Sequence, residues 1–154
     1  MKTISMILMI TIASSCSAPK PSNIGKKVTD TTGRSQTTLA PCPDKPNCIT
    51  SYIHNKDRDH YLPALRTKEF TSKVRAKLLE HLKQESRVKI IKSTESYIHA
   101  EYTSLVFRFV DDLELYFAQE GVIHFRSAAR TGYSDLGVNK RRVQALGKLI
   151  KKKF

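Results

Sequence analysis

The spacing of apolar positions changes twice along this chain, and the changes mark out its elements. In residues 68–84, Phe70, Val74, Leu78 and Leu82 recur every four positions with Leu79 beside them. That single stripe predicts an amphipathic helix, with Thr67 placed to cap its start. After Glu85 the period becomes two. Residues 88–91 read as a strand. Residues 97–104 alternate, with Ile98, Ala100 and Tyr102 on one face and His99, Glu101 and Thr103 on the other. Residues 106–110 read as a third strand. A fourth has Leu113, Leu115 and Phe117 facing one way around Glu114 and Tyr116. Gln119-Glu120-Gly121 predicts a hairpin turn into a fifth strand over residues 122–128. Helical spacing returns over residues 138–152. There Val143, Leu146 and Ile150 share a stripe, and Lys140, Arg141, Lys148, Lys151 and Lys152 share the opposite arc. Short turns between successive strands predict a single small α+β domain. Its antiparallel sheet of about five strands packs with two principal helices, which cover one face and leave the other solvated.

The first third lacks these periods. Residues 41–51 hold Pro41, Pro43 and Pro46 and predict a compact loop, because proline opposes both helix and ladder pairing. Residues 17–40 are polar, with Pro19, Pro21, Gly25 and Gly33, and read as a flexible tether with an r.m.s. span of roughly 25–30 Å. Ahead of them Lys2 precedes an apolar run broken only by Ser5 and Thr11, which ends in Ala13-Ser14-Ser15-Cys16. The run is too short to span a bilayer and carries small residues before the cysteine, as a lipoprotein signal peptide does. The expected organisation is a leader over 1–15, a lipidated N-terminus and tether over 16–40, and a domain over 41–154. Acylation of Cys16 would anchor the exported protein in a membrane of the cell envelope. Ordinary cleavage near Ser15 or Ala18 is the alternative and would leave a free thiol.

Export changes how the other cysteines and the charge are read. Cys42 and Cys48 are free to join each other in an oxidising compartment. With His54 and His60 they also recur every six residues, a set that could hold zinc but departs from common zinc spacings. The disulfide is the expectation, with no metal or cofactor. The chain carries 27 Lys and Arg against 14 Asp and Glu, a formal charge of +13 to which the leader contributes only Lys2. Such a surplus attracts polyanions. Outside the cytoplasm these would be anionic lipid, glycan or wall polymer, with no nucleic acid expected.

The densest polar chemistry lies over residues 126–142. Arg126, Arg130, Tyr133 and Ser134, with Asp135 and Asn139, could surround an anion near a helix N-terminus. Alternatively the arginines pair with Asp111, Asp112, Glu114 or Asp135 in a structural network, with Asn139 as helix cap. Nucleophile-elbow, zinc-protease and phosphate-loop motifs are absent from the sequence. Adjacent Asp111 and Asp112 would point to opposite faces of a strand, which disfavours a two-carboxylate active site. Three readings follow: a non-catalytic module binding an anionic ligand, a hydrolase or transferase using His99, His124 or Asp135, and a purely structural envelope protein.

Two segments together resemble a known pattern. One is Pro41-Cys42-Pro43-Asp44-Lys45-Pro46-Asn47-Cys48-Ile49-Thr50-Ser51, followed by His60 and Pro63-Ala64-Leu65. The other begins Phe107-Arg108-Phe109-Val110-Asp111-Asp112. It continues with Arg126-Ser127-Ala128-Ala129-Arg130-Thr131-Gly132-Tyr133-Ser134-Asp135-Leu136-Gly137-Val138-Asn139. They resemble the bacterial and plastid family known as domain of unknown function 1499, with Ala129 where that signature commonly has serine. The resemblance covers most of residues 41–150. Many members look like exported lipoproteins, which implies the same for Cys16, and the resemblance implies no particular reaction.

Overall fold

Two apolar helical stripes and a set of alternating strands each need a surface to bury against. The chain meets both needs by laying its two helices on one face of one sheet. The computed structural model describes residues 26–29, 35–52 and 58–154. In chain order the elements are β1 (Lys26–Thr29), β2 (Ser35–Thr38), β3 (Cys48–Thr50), β4 (Leu65–Arg66), α1 (Thr71–Gln84) and β5 (Val88–Thr94). They continue with β6 (Tyr97–Thr103), β7 (Val110–Gln119), β8 (Val122–Ala129) and α2 (Val138–Lys153). β1 and β2 pair as a separate two-stranded ribbon within the stretch expected to be a tether. The other six strands form an antiparallel sheet in the order β3-β8-β7-β6-β5, with β4 also on β8. The α+β class and the two helices are as expected. Leu39 and Ala40, just ahead of Pro41, are both buried.

The core lies between the sheet and the helices. Val74, Leu78 and Leu82 of α1 and Val143, Leu146 and Ile150 of α2 meet Ile98, Ala100, Leu113, Leu115, Ile123 and Phe125 of the sheet. The register places Ile98 opposite Leu115, Ala100 opposite Leu113, and Leu115 opposite Phe125, so the inward face is continuous across β6, β7 and β8. Each such side chain contributes roughly 1.5–3 kcal/mol when removed from water. Glu120 and Gly121 turn between β7 and β8. Gly121 has φ +72°, and a Cβ there would stand 3.0 Å from the Thr67 carbonyl, so this tight turn requires glycine.

Several expectations are corrected. α1 begins at Thr71, three residues after Lys68, because the Thr67 hydroxyl accepts the Glu69 N–H in a local turn. The Glu120 carboxylate caps the helix instead, accepting the Thr71 N–H at 2.9 Å and its hydroxyl at 3.1 Å. Thr67 is therefore not the cap. The predicted third strand is a loop up to Val110, turning at Arg108 with φ +56° and leaving Phe107 and Phe109 exposed. The proline-rich stretch is not wholly loop, since Cys48–Thr50 pairs with Ala128–Arg126 once the last proline is passed. The sheet face away from the helices is polar as predicted, yet Tyr97, His99, Asp112 and Glu114 on it are buried rather than solvated.

Cys42 and Cys48 are joined by a disulfide with Cα atoms 5.7 Å apart, which ties the prolines to the start of β3. His60 Nε2 lies 3.0 Å from the Lys45 carbonyl. Among the described residues no three His, Cys, Asp or Glu side chains are grouped to hold a metal. His54 and Cys16 lie outside the described residues, and among those described no helix is long and apolar enough to cross a membrane.

Candidate functional site

The run from β8 through the turn into α2 distributes its polar side chains over both faces of the sheet. Residues alternate along β8, so Arg126 points to the polar face and Ser127 to the helix face. On the helix face the Ser127 hydroxyl donates to Asn139 Oδ1 at 2.5 Å and accepts from Arg142 Nη1 at 3.1 Å. Arg142 also donates to Asn139 Oδ1, and to Asp111 Oδ2 at 2.8 Å. Its guanidinium stands 4.1 Å from the Tyr102 ring centroid. Burial and then the Glu85 charge, whose carboxylate accepts the Tyr102 hydroxyl at 3.2 Å, hold the Tyr102 phenol well above its ordinary value. Asn139 is a buried residue inside α2 rather than its cap.

The capping role belongs to Asp135, whose carboxylate accepts the Gly137 and Asn139 N–H groups at 2.9 and 2.7 Å. A carboxylate at a helix N-terminus is favoured by both hydrogen bonding and the helix dipole. Asp135→Ala is expected to lower stability by about 0.5–2 kcal/mol, read as an earlier urea midpoint with an unchanged slope.

On the polar face two ion-pair clusters lie side by side. Arg130 donates to Asp112 Oδ2 at 2.8 Å, to Asp112 Oδ1 at 2.7 Å, and to Glu101. Asp112 Oδ1 also accepts from His99 Nε2 at 2.6 Å. Burial alone would raise the Asp112 pKa, but the hydrogen bonds from His99 and Arg130 outweigh it and hold the carboxyl below its ordinary value. The bonds to Asp112 in turn push the Arg130 guanidinium further up. Beside them the fully buried Glu114 accepts the Tyr97 hydroxyl at 2.6 Å and Arg126 Nη1 at 3.3 Å. Burial first, then the Glu114 charge, raises the Tyr97 phenol. Arg126 Nε is buried with no hydrogen-bond partner.

The six residues singled out in the sequence are therefore not brought together. Arg126 and Arg130 are engaged with acids on the polar face, Asp135 and Asn139 fasten α2 on the other, and Tyr133 and Ser134 are exposed in the turn between. Of the candidate catalytic residues, His99 is buried against Asp112. His124 stacks on Tyr52 with ring centroids 4.3 Å apart, and burial followed by the Arg66 charge lowers its pKa. Ser51 Oγ stands 3.1 Å from His124 Nδ1, a spacing that would suit a nucleophile and its base. That hydroxyl, however, is buried and accepts the Phe125 N–H at 2.8 Å, which makes it a clasp between neighbouring segments.

The solvent-facing cations are elsewhere. An open groove of about 590 Å³ runs between the end of α1, β6 and α2, lined by His81, Glu85, Arg87, Tyr102, Arg141 and Arg142 among others. Arg142 is balanced by Asp111, whereas Arg141 donates to the Leu136 carbonyl at 2.8 Å. Among the described residues no carboxylate lies within ion-pair distance of Arg87 or Arg141, nor of the exposed Lys140, Lys148, Lys151 and Lys152. Guanidinium forks held on a helix and a strand edge suit phosphate or carboxylate groups. The helical period could have signalled Arg141 and Arg142; Arg87 reaches them only through the tertiary fold.

The fold and signature together define a small α+β domain whose strand–turn–helix segment locks its last helix to its sheet. The chain belongs to the family described as a protein of unknown function, DUF1499, which it matches over residues 38–150. No curated protein and no solved structure matches it.

Proposed function

We propose that this protein is an exported, lipid-anchored module of the cell envelope that binds an anionic ligand and catalyses no reaction. The observation that carries the reading is the groove beside α2, where Arg87 and Arg141 face solvent without a carboxylate partner among the described residues. The exposed lysines of α2 extend the same field along the helix, and the formal charge of +13 draws anions toward it. The short apolar leader ending at Cys16 supports export and acylation, and the Cys42–Cys48 disulfide fits an oxidising compartment. Phosphate-bearing lipid, glycan or wall polymer is the chemical class of ligand. The engagement of Arg126 and Arg130 with internal acids favours a structural role for those two residues and moves ligand recognition to the groove.

The test pairs binding with anchoring. Binding to phosphate-bearing glycan is expected to weaken as salt rises, and the double variant Arg87→Ala/Arg141→Ala should bind at least about tenfold more weakly. Its melting temperature should stay within a degree or two of the parent, since both side chains are exposed. Unchanged affinity in that variant would reject the groove. Fatty-acid labelling should disappear in Cys16→Ala, and label retained there would reject the anchor.

A further inference from the structure

We infer that the end of the sheet formed by the β6–β7 loop and the β8–α2 turn docks into the interfacial layer of an anionic bilayer. Nine large hydrophobic side chains are exposed among the described residues, and seven of them stand on these two segments. Leu105, Val106, Phe107 and Phe109 occupy the first, with Phe107 73 % exposed; Tyr133, Leu136 and Val138 occupy the second, with Leu136 83 % exposed. The segments emerge side by side, because Asp111 of β7 pairs with Ala129 of β8 and the Arg130 N–H donates to the Val110 carbonyl at 3.0 Å. Leu105 and Val138 line one shared groove. Large apolar side chains exposed together at one end of a sheet mark a place that meets something other than water.

The loops are built rather than slack. The Ser104 N–H donates to the Phe109 carbonyl at 2.8 Å, the Phe109 N–H to Ser104 Oγ at 2.9 Å, and the two phenylalanine rings stack 5.5 Å apart. In the second segment the Leu136 and Gly137 N–H groups donate to Ser134 Oγ and Asp135 Oδ1. Backbone groups satisfied in this way can approach lipid without stranding donors.

Charge selects the occupant. Arg108 lies between Phe107 and Phe109 in the loop, Arg87 lines a groove with Leu105 and Val138, and Lys140 and Arg141 follow Val138 in α2, all four exposed and without a carboxylate partner among the described residues. The acids lining that groove are already engaged, Asp111 by Arg142 and Glu85 by the Tyr102 hydroxyl. Aromatic and aliphatic groups accompanied by long cations match the boundary between acyl chains and anionic headgroups, where the cations reach back to phosphate. The proposal rests on the envelope reading for its location, because a chain held at a membrane keeps the tip within reach of lipid.

The chain has no tryptophan, so Phe107→Trp supplies a single reporter at the tip. Phe70→Trp supplies the control, since Phe70 is exposed at the opposite end of the sheet, beside the β7–β8 turn. Each is placed in the parent chain and in Cys16→Ser and mixed with phosphatidylglycerol-containing vesicles. At the tip, emission should shift to the blue and brominated lipid should quench it, while Phe70→Trp changes little. The apparent affinity of Cys16→Ser for pure phosphatidylcholine should be at least about tenfold lower, as should that of Phe107→Ser/Phe109→Ser/Leu136→Ser for the anionic vesicles. A tip reporter that matches the control in both chains overturns the proposal and assigns the surface to a protein partner. Failure of acylation with a shifted tip removes the anchor and leaves the docking; a floating parent chain with an unshifted tip does the reverse.

Discussion

Arg130→Met is expected to destabilise the domain by about 3–5 kcal/mol, the range for removing one partner of a buried ion pair. Arg130 bridges Asp112 and Glu101, and the Asp112 side chain is only 7 % exposed, so without Arg130 that carboxylate keeps His99 alone and cannot simply turn to water. Domains of this size are stable by about 5–15 kcal/mol, which makes the change visible in a urea titration at neutral pH. Acid should reveal the same interaction. Because Asp112 has a carboxyl pKa below its ordinary 3.8, its ionised form contributes stability above that value, and the contribution is lost as pH falls through the lower folded value. In Arg130→Met the carboxyl moves back up, so this part of the acid limb should flatten. Asp112→Asn in the same background should recover part of the loss, since the stranded charge is gone. A variant with parental stability that had lost only an anionic ligand would restore Arg130 to the binding surface.

How far the architecture could be read in advance depended on how each element is stabilised. α1 and α2 bury one stripe each, and Val74, Leu78, Leu82, Val143, Leu146 and Ile150 announce it by spacing alone. The central strands β6, β7 and β8 likewise show their period of two. Short elements do not. β3 contains only Cys48–Thr50, too few residues for a period, and it follows prolines that suggest a loop. Residues 106–109 fail in the other direction: valine and phenylalanine suggest a strand, but they stand at the sheet's end where no partner strand buries them.

The candidate site shows the same limit in electrostatic form. His99, Glu101, Asp112, Glu114 and Arg126 could be assigned to one sheet face from alternation, and polarity suggested that this face was wet. Polarity does not separate a solvated face from one whose charges satisfy each other. The available signal was the mixture of signs: three acids alternate with arginine and histidine on neighbouring strands, as a mutually compensated cluster requires. Which arginines would stay open to solvent was beyond any local pattern. Arg87 precedes β5 and Arg141 lies in α2, and only the tertiary fold brings them into one groove.

Two phenylalanines separate what the fold needs from what the surface offers. Phe125 is fully buried among both helices and the neighbouring strands, and Phe125→Ala is expected to cost about 3–5 kcal/mol through lost burial and the cavity left behind. Phe107 carries the same ring on a loop, largely exposed and stacked on Phe109, so Phe107→Ser should change stability by less than about 0.5 kcal/mol. Urea titrations of the two variants, with vesicle binding measured alongside, would show opposite patterns: one loses the fold, the other keeps it and loses the bilayer. Should Phe107→Ser prove as destabilising as Phe125→Ala, the exposed loop would be a hidden part of the core and the docking surface would vanish with it. The contrast is sharp because the apolar rings at the tip expose surface that folding does not use, and in an aqueous compartment such surface is unfavourable unless it is covered by another phase.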